Sequence, residues 1–307
     1  MADKNLNWAV LGVGVIANEM AQALHRQGKT LYAVANRTHS KAVAFAEKYS
    51  VPKVYDAIDD LFTDDAVDVI YLTTPHNTHY PFMKRALENG KHLLVEKSIT
   101  LNSRELDEMI ALAAEKNLVL AEAMTIWHMP LYKTLWNQIA RGDFGRVQII
   151  TLNFGSFKPY DMRNRFFNMD LAGGALLDIG VYALSIVRSF MAEKPTEILS
   201  QWKPSPTGSD EMSTILLKNT CGQLATVHCQ CTPNSLNEPS SAVNAAISRL
   251  WNIPAQRRQF TLTRRRVPLR KSSRANRLTR FTTRLRTWSG RLILVTPRQC
   301  GSTSQRT

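Results

Sequence analysis

The stretch AVLGVGVIA, near the start of the chain, constrains the fold most strongly. It places Gly12, Gly14 and Ala17 in a G-x-G-x-x-A arrangement, directly after a strand pattern and at the start of a helical pattern. Gly12 permits a tight turn, Gly14 lets the backbone approach a pyrophosphate, and Ala17 lets the helix pack closely on the strand. The first helical residues, Val15 and Ile16, offer N–H groups and a favourable dipole to the phosphates. The pattern predicts a dinucleotide-binding turn, and a merely tight turn is the alternative.

Strand and helix patterns alternate throughout residues 1–123. LYAVAN, DVIYLTT, HLLVEK and LVLAEA have the apolar character of buried strands, and SRELDEMIALAAEKN has the period of an amphipathic helix. Such alternation is typical of a doubly wound parallel sheet with helices on both faces. We therefore predict the α/β class, with an N-terminal NAD(P)-binding Rossmann domain over residues 1–123.

The pattern changes after Met124. RVQIITLNFGSF, TEILSQWK, MSTILLK and GQLATVHCQC alternate as antiparallel strands do, and the apolar helix pattern GGALLDIGVYALSIV lies among them. We predict a second domain of helix and sheet over residues 124–231, which would bind a substrate and support dimerisation.

The charge of the chain is concentrated in residues 232–307. The whole chain has a net charge of +14, but residues 1–231 contain 23 Lys and Arg against 24 Asp and Glu, a net of −1. Residues 232–307 contain 16 Lys and Arg against the single acid Glu238, a net of +15, and have no sustained period. Our hypothesis is that this basic tail is a shifted reading frame or a foreign extension. Non-specific nucleic-acid binding by its arginines is a competing interpretation, although no fold signature supports it.

Cysteine usage and hydropathy exclude some other classes. Cys229 and Cys231 form HCQC, which lacks the spacing of a zinc site and reads as part of a strand, so no metal is expected. No uninterrupted apolar run reaches the roughly 18–20 residues that a membrane-spanning helix needs, and no signal-peptide pattern opens the chain. We expect a cytoplasmic protein without a membrane partner.

The end of the second predicted strand bears on the choice of dinucleotide. NAD enzymes usually carry an acid there, whereas this chain has the neutral Asn36 followed by Arg37. A guanidinium is suited to a 2′-phosphate, so NADP is favoured and NAD remains open. A solvated surface arginine is the alternative.

Polar side chains also follow the fourth and fifth predicted strands, where doubly wound sheets bind ligands. The candidates for the nicotinamide side are Thr74, Pro75, Asn77 and His79 after the fourth strand, and Glu96 and Lys97 after the fifth. Two further candidates lie in the second predicted domain. They are Asp178 and Tyr182, which project from one face if DIGVY is helical.

The motifs GVGVIA, NRT, TTPHNTHY, EK after a strand, AEAM and GGALLDIGVY together resemble the Gfo/Idh/MocA family of oxidoreductases over roughly residues 5–231. The branch with Tyr at the position of Tyr182 is the most similar. The resemblance implies a Rossmann domain followed by an α/β domain with an open, mostly antiparallel sheet, often used for dimerisation. It also implies that Lys97, Asp178 and Tyr182 occupy the catalytic positions. The second sheet would be incomplete here, because the family motifs stop at the tail.

The residue chemistry agrees with those roles. Oxidising a secondary alcohol needs a group that removes the hydroxyl proton as hydride leaves for the nicotinamide. Tyr182 can do so if its pKa falls from ~10, and a cation about 4 Å away, such as Lys97, interacts by roughly 4 kcal/mol at an effective dielectric of about 20. Asp178 would pair with Lys97 or orient the substrate hydroxyl. The alternative is a buried, satisfied tyrosine and an aspartate that caps its helix.

The chain departs from the family in two further places. Ser98 stands where the family usually has proline, which removes a constraint on the backbone that aims Lys97. Trp127 and His128 replace an aromatic-Arg segment and would shape the substrate pocket or pack at a domain interface. The sequence thus predicts an NAD(P)-dependent dehydrogenase or reductase that acts on a CH–OH group of a sugar, cyclitol or dihydrodiol. A non-catalytic NAD(P)-binding protein with a damaged substrate domain is the alternative.

Overall fold

A computed structural model describes residues 6–232 and 246–247 of the chain. These residues form two sheets, each with its own helices. Apart from Thr232 and residues 246–247, the basic tail lies outside the described residues. The structure therefore does not test the hypothesis that the tail is a shifted reading frame or a foreign extension.

The first sheet contains only parallel pairs. Its strands are β1 (Trp8–Leu11), β2 (Ala33–Ala35), β3 (Lys53–Val54), β4 (Val69–Leu72), β5 (His92–Val95) and β6 (Leu120–Glu122). Their order is β3-β2-β1-β4-β5-β6, so the chain reverses direction across the sheet between β1 and β4. Ligands of doubly wound sheets bind outside the carboxyl ends of the strands at this reversal.

Helices cover both faces of the first sheet. They are α1 (Val15–His25), α2 (His39–Tyr49), α3 (Ile58–Thr63), α4 (His79–Glu88) and α5 (Ser103–Glu115). Side chains of a strand alternate between faces, so Val10 packs in the core with α1 and α2, whereas Ala9 and Leu11 pack in the core with α3, α4 and α5. The predicted doubly wound Rossmann architecture is confirmed.

The second sheet is mixed. The remaining elements are α6 (Pro130–Ala140), β7 (Ile149–Phe157), a π-helical turn (Leu176–Gly180), α7 (Val181–Phe190), β8 (Glu197–Pro204), β9 (Asp210–Lys218), β10 (Leu224–Thr232) and β11 (Ala246–Ile247). The order is β11-β7-β10-β9-β8, and the pairs are antiparallel except β7–β10, which is parallel. The mostly antiparallel second sheet is confirmed.

Helix α7 covers one face of this sheet. Ala183 and Val187 are fully buried and share a core with Ile215, Leu217 and Val227 from the inner face of the strands. The covering helix begins at the π-helical turn, so the chain that covers the second sheet also carries Asp178 and Tyr182.

One helical stretch of the described residues, Met169–Phe190, is long and apolar enough to cross a membrane by length and composition alone. It contains the fully buried residues Ala183 and Val187, which pack against the second sheet. A core helix passes the same test, and the packing favours that interpretation.

The HCQC motif lies on β10, as its alternation predicts. Cys229 and Cys231 are buried, and burial raises the pKa of each thiol to about 12. Among the described residues there is no group of three or more His, Cys, Asp or Glu that could hold a metal ion.

Candidate active site

The turn after β1 is closed against β4. Gly12 has a φ of +100°, and a Cβ there would lie 2.8 Å from Oγ1 of Thr73. The Gly12 N–H donates to the carbonyl of Ala35 at 2.9 Å, and the Thr73 hydroxyl donates to the carbonyl of Gly12 at 2.9 Å. Glycine is required at this position because both the dihedral angle and the space exclude a side chain.

Gly14 differs from Gly12 because its missing side chain leaves open space. It is the N-cap residue of α1 and supplies no side-chain cap, and nothing lies within 4 Å of where a Cβ would be. Val15, which follows it, is exposed, whereas Ala17 is fully buried against the sheet. The open helix N-terminus fits a pyrophosphate group, which the N–H groups from Gly14 to Ile16 would bind.

The two residues after β2, Asn36 and Arg37, differ in whether their side chains are available to bind a ligand. The Asn36 side chain donates to the carbonyl of Thr38 at 2.9 Å and so shapes the turn. Arg37 is exposed, and within the part of the chain that the structure describes it forms no hydrogen bond or ion pair. Its guanidinium is therefore available to a ligand.

The loop after β4 contacts the second domain. Pro75 is exposed and precedes a 3₁₀ turn, and the hydroxyl of Thr74 accepts a hydrogen bond from Thr78 at 2.7 Å. Asn77 donates to the backbone carbonyl of Asp170, in the second domain, at 2.8 Å. The amide of Asn77 thus contributes to an interdomain contact.

The sequence predicts that His79 lines the nicotinamide side, whereas the structure turns its ring into the fold. It is fully buried, with Nδ1 2.9 Å from the carbonyl oxygen of Ser98 and Nε2 2.9 Å from that of Thr74. Burial lowers its pKa, although the two carbonyls and Glu96 act in the opposite direction. The imidazole ties the loop after β4 to the loop after β5.

The carboxylate of Glu96 is also turned into the fold. Its Oε1 accepts a hydrogen bond of 2.5 Å from the hydroxyl of Tyr71, a residue of β4 that is fully buried. The Glu96 side chain is therefore engaged by the first domain, and only its backbone remains as a candidate contact for a cofactor.

Lys97 reaches from the end of β5 to the second domain. Its Nζ lies 2.9 Å from Oδ1 of Asp178 and also donates to the Asp178 backbone carbonyl. The following residue, Ser98, donates from Oγ to the carbonyl of Leu177 at 3.0 Å, and the Lys97–Ser98 peptide is cis. The segment that carries Lys97 is thus joined to the π-helical turn by three hydrogen bonds.

Asp178 is a buried carboxylate surrounded by cations. Besides Lys97, Nζ of Lys158 lies 3.4 Å from Oδ2 and a guanidinium nitrogen of Arg165 lies 3.9 Å from Oδ1. Burial acts to raise the pKa of Asp178, but the attraction of these three cations outweighs it and the pKa is lowered. Asp178 is therefore ionised at neutral pH, and of the two arrangements considered from the sequence, the structure shows its pairing with Lys97.

Tyr182 lies one helical turn beyond Asp178 and is half-buried. The ammonium of Lys97 lies 5.2 Å from the centroid of its ring, and the ring of Phe154 meets it edge-on at 6.2 Å. The structure thus brings the three predicted catalytic residues together, one from the first domain and two from the second.

The start of the Asp178 helix is capped by another residue. Oδ2 of Asp210, on β9, accepts hydrogen bonds from the Leu176 N–H and the Ser213 hydroxyl, each at 2.7 Å. A Cβ on Gly174, whose φ is +130°, would lie 2.0 Å from Oδ1 of Asp210. The alternative considered from the sequence was that Asp178 caps its own helix. Asp210 provides this cap instead.

His76 was not predicted as a site residue from the sequence. It is buried near Lys97, Arg165 and Asp178, whose charges act on it. Burial, followed by the charges of His79, Lys97 and Arg165, lowers its pKa to about 4. It is neutral at physiological pH. No sequence signal separates it from the other histidines of its loop, and the same is true of Lys158, Arg165 and Asp210.

Trp127 packs within the second domain. Its ring stacks on Trp136 of α6 with centroids 5.2 Å apart and is 37% exposed. His128 follows in the same 3₁₀ turn, Thr125–His128. This ring contact lies within the second domain, so it tests neither a role of Trp127 in the substrate pocket nor packing at a domain interface.

The chain matches two models of one protein family. Residues 6–124 match the NAD-binding Rossmann model of the GFO/IDH/MocA oxidoreductases, and residues 132–242 match the model of the GFO/IDH/MocA C-terminal domain.

Individual proteins match over most of their length. Trans-1,2-dihydrobenzene-1,2-diol dehydrogenase of Mus musculus is 30% identical over 253 residues, which cover 80% of this chain and 75% of that protein. The protein of the same name from Homo sapiens is 32% identical over 251 residues, with the same coverage of 80% and 75%. The solved structure of KijD10, a 3-ketoreductase from Actinomadura kijaniata in complex with NADP and TDP-benzene, has a TM-score of 0.68 and 26% identity, and covers 74% of this chain and 71% of that one.

Proposed function

Because the chain belongs to the GFO/IDH/MocA family and is an NAD(P)-dependent oxidoreductase, we propose that it interconverts a secondary alcohol and its ketone on a sugar, cyclitol or dihydrodiol, with NADP favoured. The observation that carries this proposal is the meeting of Lys97 with Asp178 and Tyr182 across the two domains. The relatives named for a dihydrobenzenediol and for 3-ketoreduction support an alcohol or ketone as the reacting group.

The three side chains have separate tasks. The dinucleotide, when bound, supplies the hydride acceptor or donor. Tyr182 exchanges the proton of the substrate hydroxyl, and the ammonium of Lys97 stabilises the phenolate that forms. Asp178 holds the Lys97 side chain in place by a hydrogen bond to Nζ and so acts as a positioning residue.

The test uses the variant Tyr182→Phe. Hydride transfer is measured by the absorbance of the nicotinamide with a panel of sugars, cyclitols and trans-dihydrodiols. We expect kcat to fall about 10²–10³-fold, since only the proton-transferring hydroxyl is removed, while dinucleotide affinity is retained. Tyr80→Phe is the matched control, because the Tyr80 hydroxyl binds Glu108 on the surface of the first domain. Unchanged turnover in Tyr182→Phe would refute the assignment. Dinucleotide binding without turnover of any probe would favour the non-catalytic alternative.

Arg37 supports the preference for NADP. Its guanidinium is exposed at the end of β2 and has no partner among the described residues, so it can pair with a 2′-phosphate. The similar KijD10 structure was solved with NADP. Titrations with NADP and NAD side by side test the preference, and tighter binding of NAD would contradict it.

We also propose a homodimer formed through the outer face of the second sheet. On that face Leu199 is paired with Leu216, and Leu224 with Ile149; all four are exposed, Leu199 by 68%. Exposed apolar side chains on four strands of one sheet are a feature of interaction surfaces, and a two-fold pairing would cover them in both copies at once. Sedimentation at several concentrations tests this, and a monomer throughout would contradict it.

A further inference from the structure

The cluster of side chains in direct ionic contact with Asp178 carries more positive than negative charge. Lys97, Lys158 and Arg165 converge on the single carboxylate of Asp178, which leaves an excess of two positive charges. Within the described ranges, neither Lys158 nor Arg165 has another carboxylate partner. The nearby His76 adds no negative charge, since it is neutral.

The three cations are not equivalent. Lys97 is at hydrogen-bond distance from Asp178, 2.9 Å, whereas Lys158 is at 3.4 Å and Arg165 at 3.9 Å. Lys97 satisfies the carboxylate with a good hydrogen bond, and the two others keep N–H donors available. The function already assigned to this site uses Lys97 and gives neither Lys158 nor Arg165 a task.

Packing holds these two cations beside the site. Nζ of Lys158 lies 3.8 Å from the ring centroid of Phe166, and the guanidinium carbon of Arg165 lies 4.4 Å from the same centroid. The side chain of Lys158 is 18% exposed and that of Arg165 is 51% exposed. Both side chains are therefore partly exposed, and desolvation by a bound ligand would strengthen the attraction of their charges for an anion.

We propose that the alcohol or ketone substrate carries an anionic group, a carboxylate or a phosphate, that binds Lys158 and Arg165. The inference rests on the proposed function and adds to it the substrate class. Lys158 and Arg165 are specificity-determining residues, which orient the substrate by its charged end, while Lys97 and Tyr182 act at its hydroxyl.

The experiment compares neutral probes with partners that carry an anionic group on the same ring. D-glucose, D-glucuronate and D-glucose 6-phosphate, and myo-inositol with an inositol monophosphate, are assayed with the full chain and NADP. We expect kcat/KM for an anionic member to exceed that of its neutral partner by about ten-fold or more, and the advantage to shrink in 0.5 M NaCl, since salt screens partly exposed charges. The carboxylate and phosphate arms show which anion the site prefers.

The variants Lys158→Met and Arg165→Gln test the two residues. Each should lower the ratio of kcat/KM for the anionic probe to that for its neutral partner by about 10–100-fold, as expected for a lost charged hydrogen bond, and Lys158→Arg should restore most of it. Arg163→Gln is the matched control, because Arg163 is exposed and pairs with Asp161 instead. An unchanged ratio in both variants, or equal turnover of charged and neutral probes by the wild type, would overturn the proposal.

The proposal remains testable if no probe is turned over, which would count against the proposed reaction. Calorimetric titration of glucuronate and glucose 6-phosphate into the NADP-loaded protein then measures binding directly. Salt-sensitive binding that is lost in Lys158→Met supports the anion site, and binding of neither anion overturns it.

Discussion

In the first sheet strand β1 is buried on both faces, whereas in the second sheet strand β8 is exposed along its whole length. The central strands of the first sheet lie between two helical layers, so its polar residues collect at the carboxyl ends of the strands. Among the described residues, α7 covers one face of the second sheet, and the polar residues of the candidate site come from that covering helix and the segment before it. The candidate active site lies where a strand end of one domain meets the covering helix of the other.

The two domains also treat buried ionisable groups differently. The first keeps His76 neutral by burial, whereas the second keeps Asp178 charged by surrounding it with cations. The first arrangement depends chiefly on burial, and the second depends on contacts made across the domain boundary.

The largest expected effect comes from breaking the second domain alone. In Gly174→Ala the added Cβ meets the carboxylate of Asp210, which must release the start of the Asp178 helix. We expect a loss of about 2–4 kcal/mol in the free energy of unfolding, since both a cap and a left-handed glycine are affected. Turnover should fall about 10²-fold, because the catalytic helix is misplaced. Dinucleotide affinity should change less than about three-fold, since the turn after β1 is remote.

Chemical denaturation, turnover and dinucleotide titration measure these three outcomes. Gly222→Ala is the control: Gly222 also has a positive φ, +77°, but open space where the Cβ would lie. An equal loss in both variants would show that the contact with Asp210 is unimportant.

His76 tests the electrostatic side of the comparison. Its pKa is about 4 in the folded protein against 6.5 for an unperturbed histidine side chain, so the unfolded chain takes up the proton first as pH falls. Stability due to neutral His76 is complete above pH 6.5 and declines by about 3 kcal/mol on acidification to pH 4. His76→Gln removes this contribution. Between about pH 7 and pH 4, the free energy of unfolding of the variant should therefore fall by about 3 kcal/mol less than that of the wild type.

Urea denaturation at intervals between pH 7 and pH 4 measures this slope. The exposed His25→Gln should keep the wild-type slope. A slope in His76→Gln identical to that of the wild type would show that His76 is not the group responsible.

Arg37 tests whether the first domain selects its dinucleotide independently. Arg37→Gln should weaken NADP binding about 10–100-fold and leave NAD binding within about two-fold, since only the 2′-phosphate contact is lost. Fluorescence titration with both dinucleotides measures this, with Arg26→Gln at the end of α1 as the control. Equal weakening of both dinucleotides would contradict a role in discrimination.

The smallest effect on stability is expected at the open face of the second sheet. Leu199→Glu should alter the free energy of unfolding of the monomer by less than about 0.5 kcal/mol, because the side chain is already in solvent, yet it should dissociate the proposed dimer. Denaturation measured with sedimentation separates the two effects. A dimer that persists in Leu199→Glu would place its interface elsewhere.

Much of the fold could be predicted because its signals are local. The alternation of strand and helix patterns identifies the doubly wound sheet, and the spacing of Gly12, Gly14 and Ala17 identifies the turn after β1. The motif resemblance also led to the family, which the comparisons confirm. His79 shows the limit: its loop was identified, but whether its ring points outward or into the core depends on carbonyls at Thr74 and Ser98.

The sequence by itself determined the class of fold, the turn at the first strand and the identity of the residues that could meet at the site. Only the tertiary structure decided that Asp210 caps the helix while Asp178 pairs with Lys97, 81 residues away, and that Lys158 and Arg165 join them. The physical reason is that helical and strand periodicity is governed by neighbours in the chain. The partner and charge state of a buried side chain depend instead on segments that come together only when the two domains are packed.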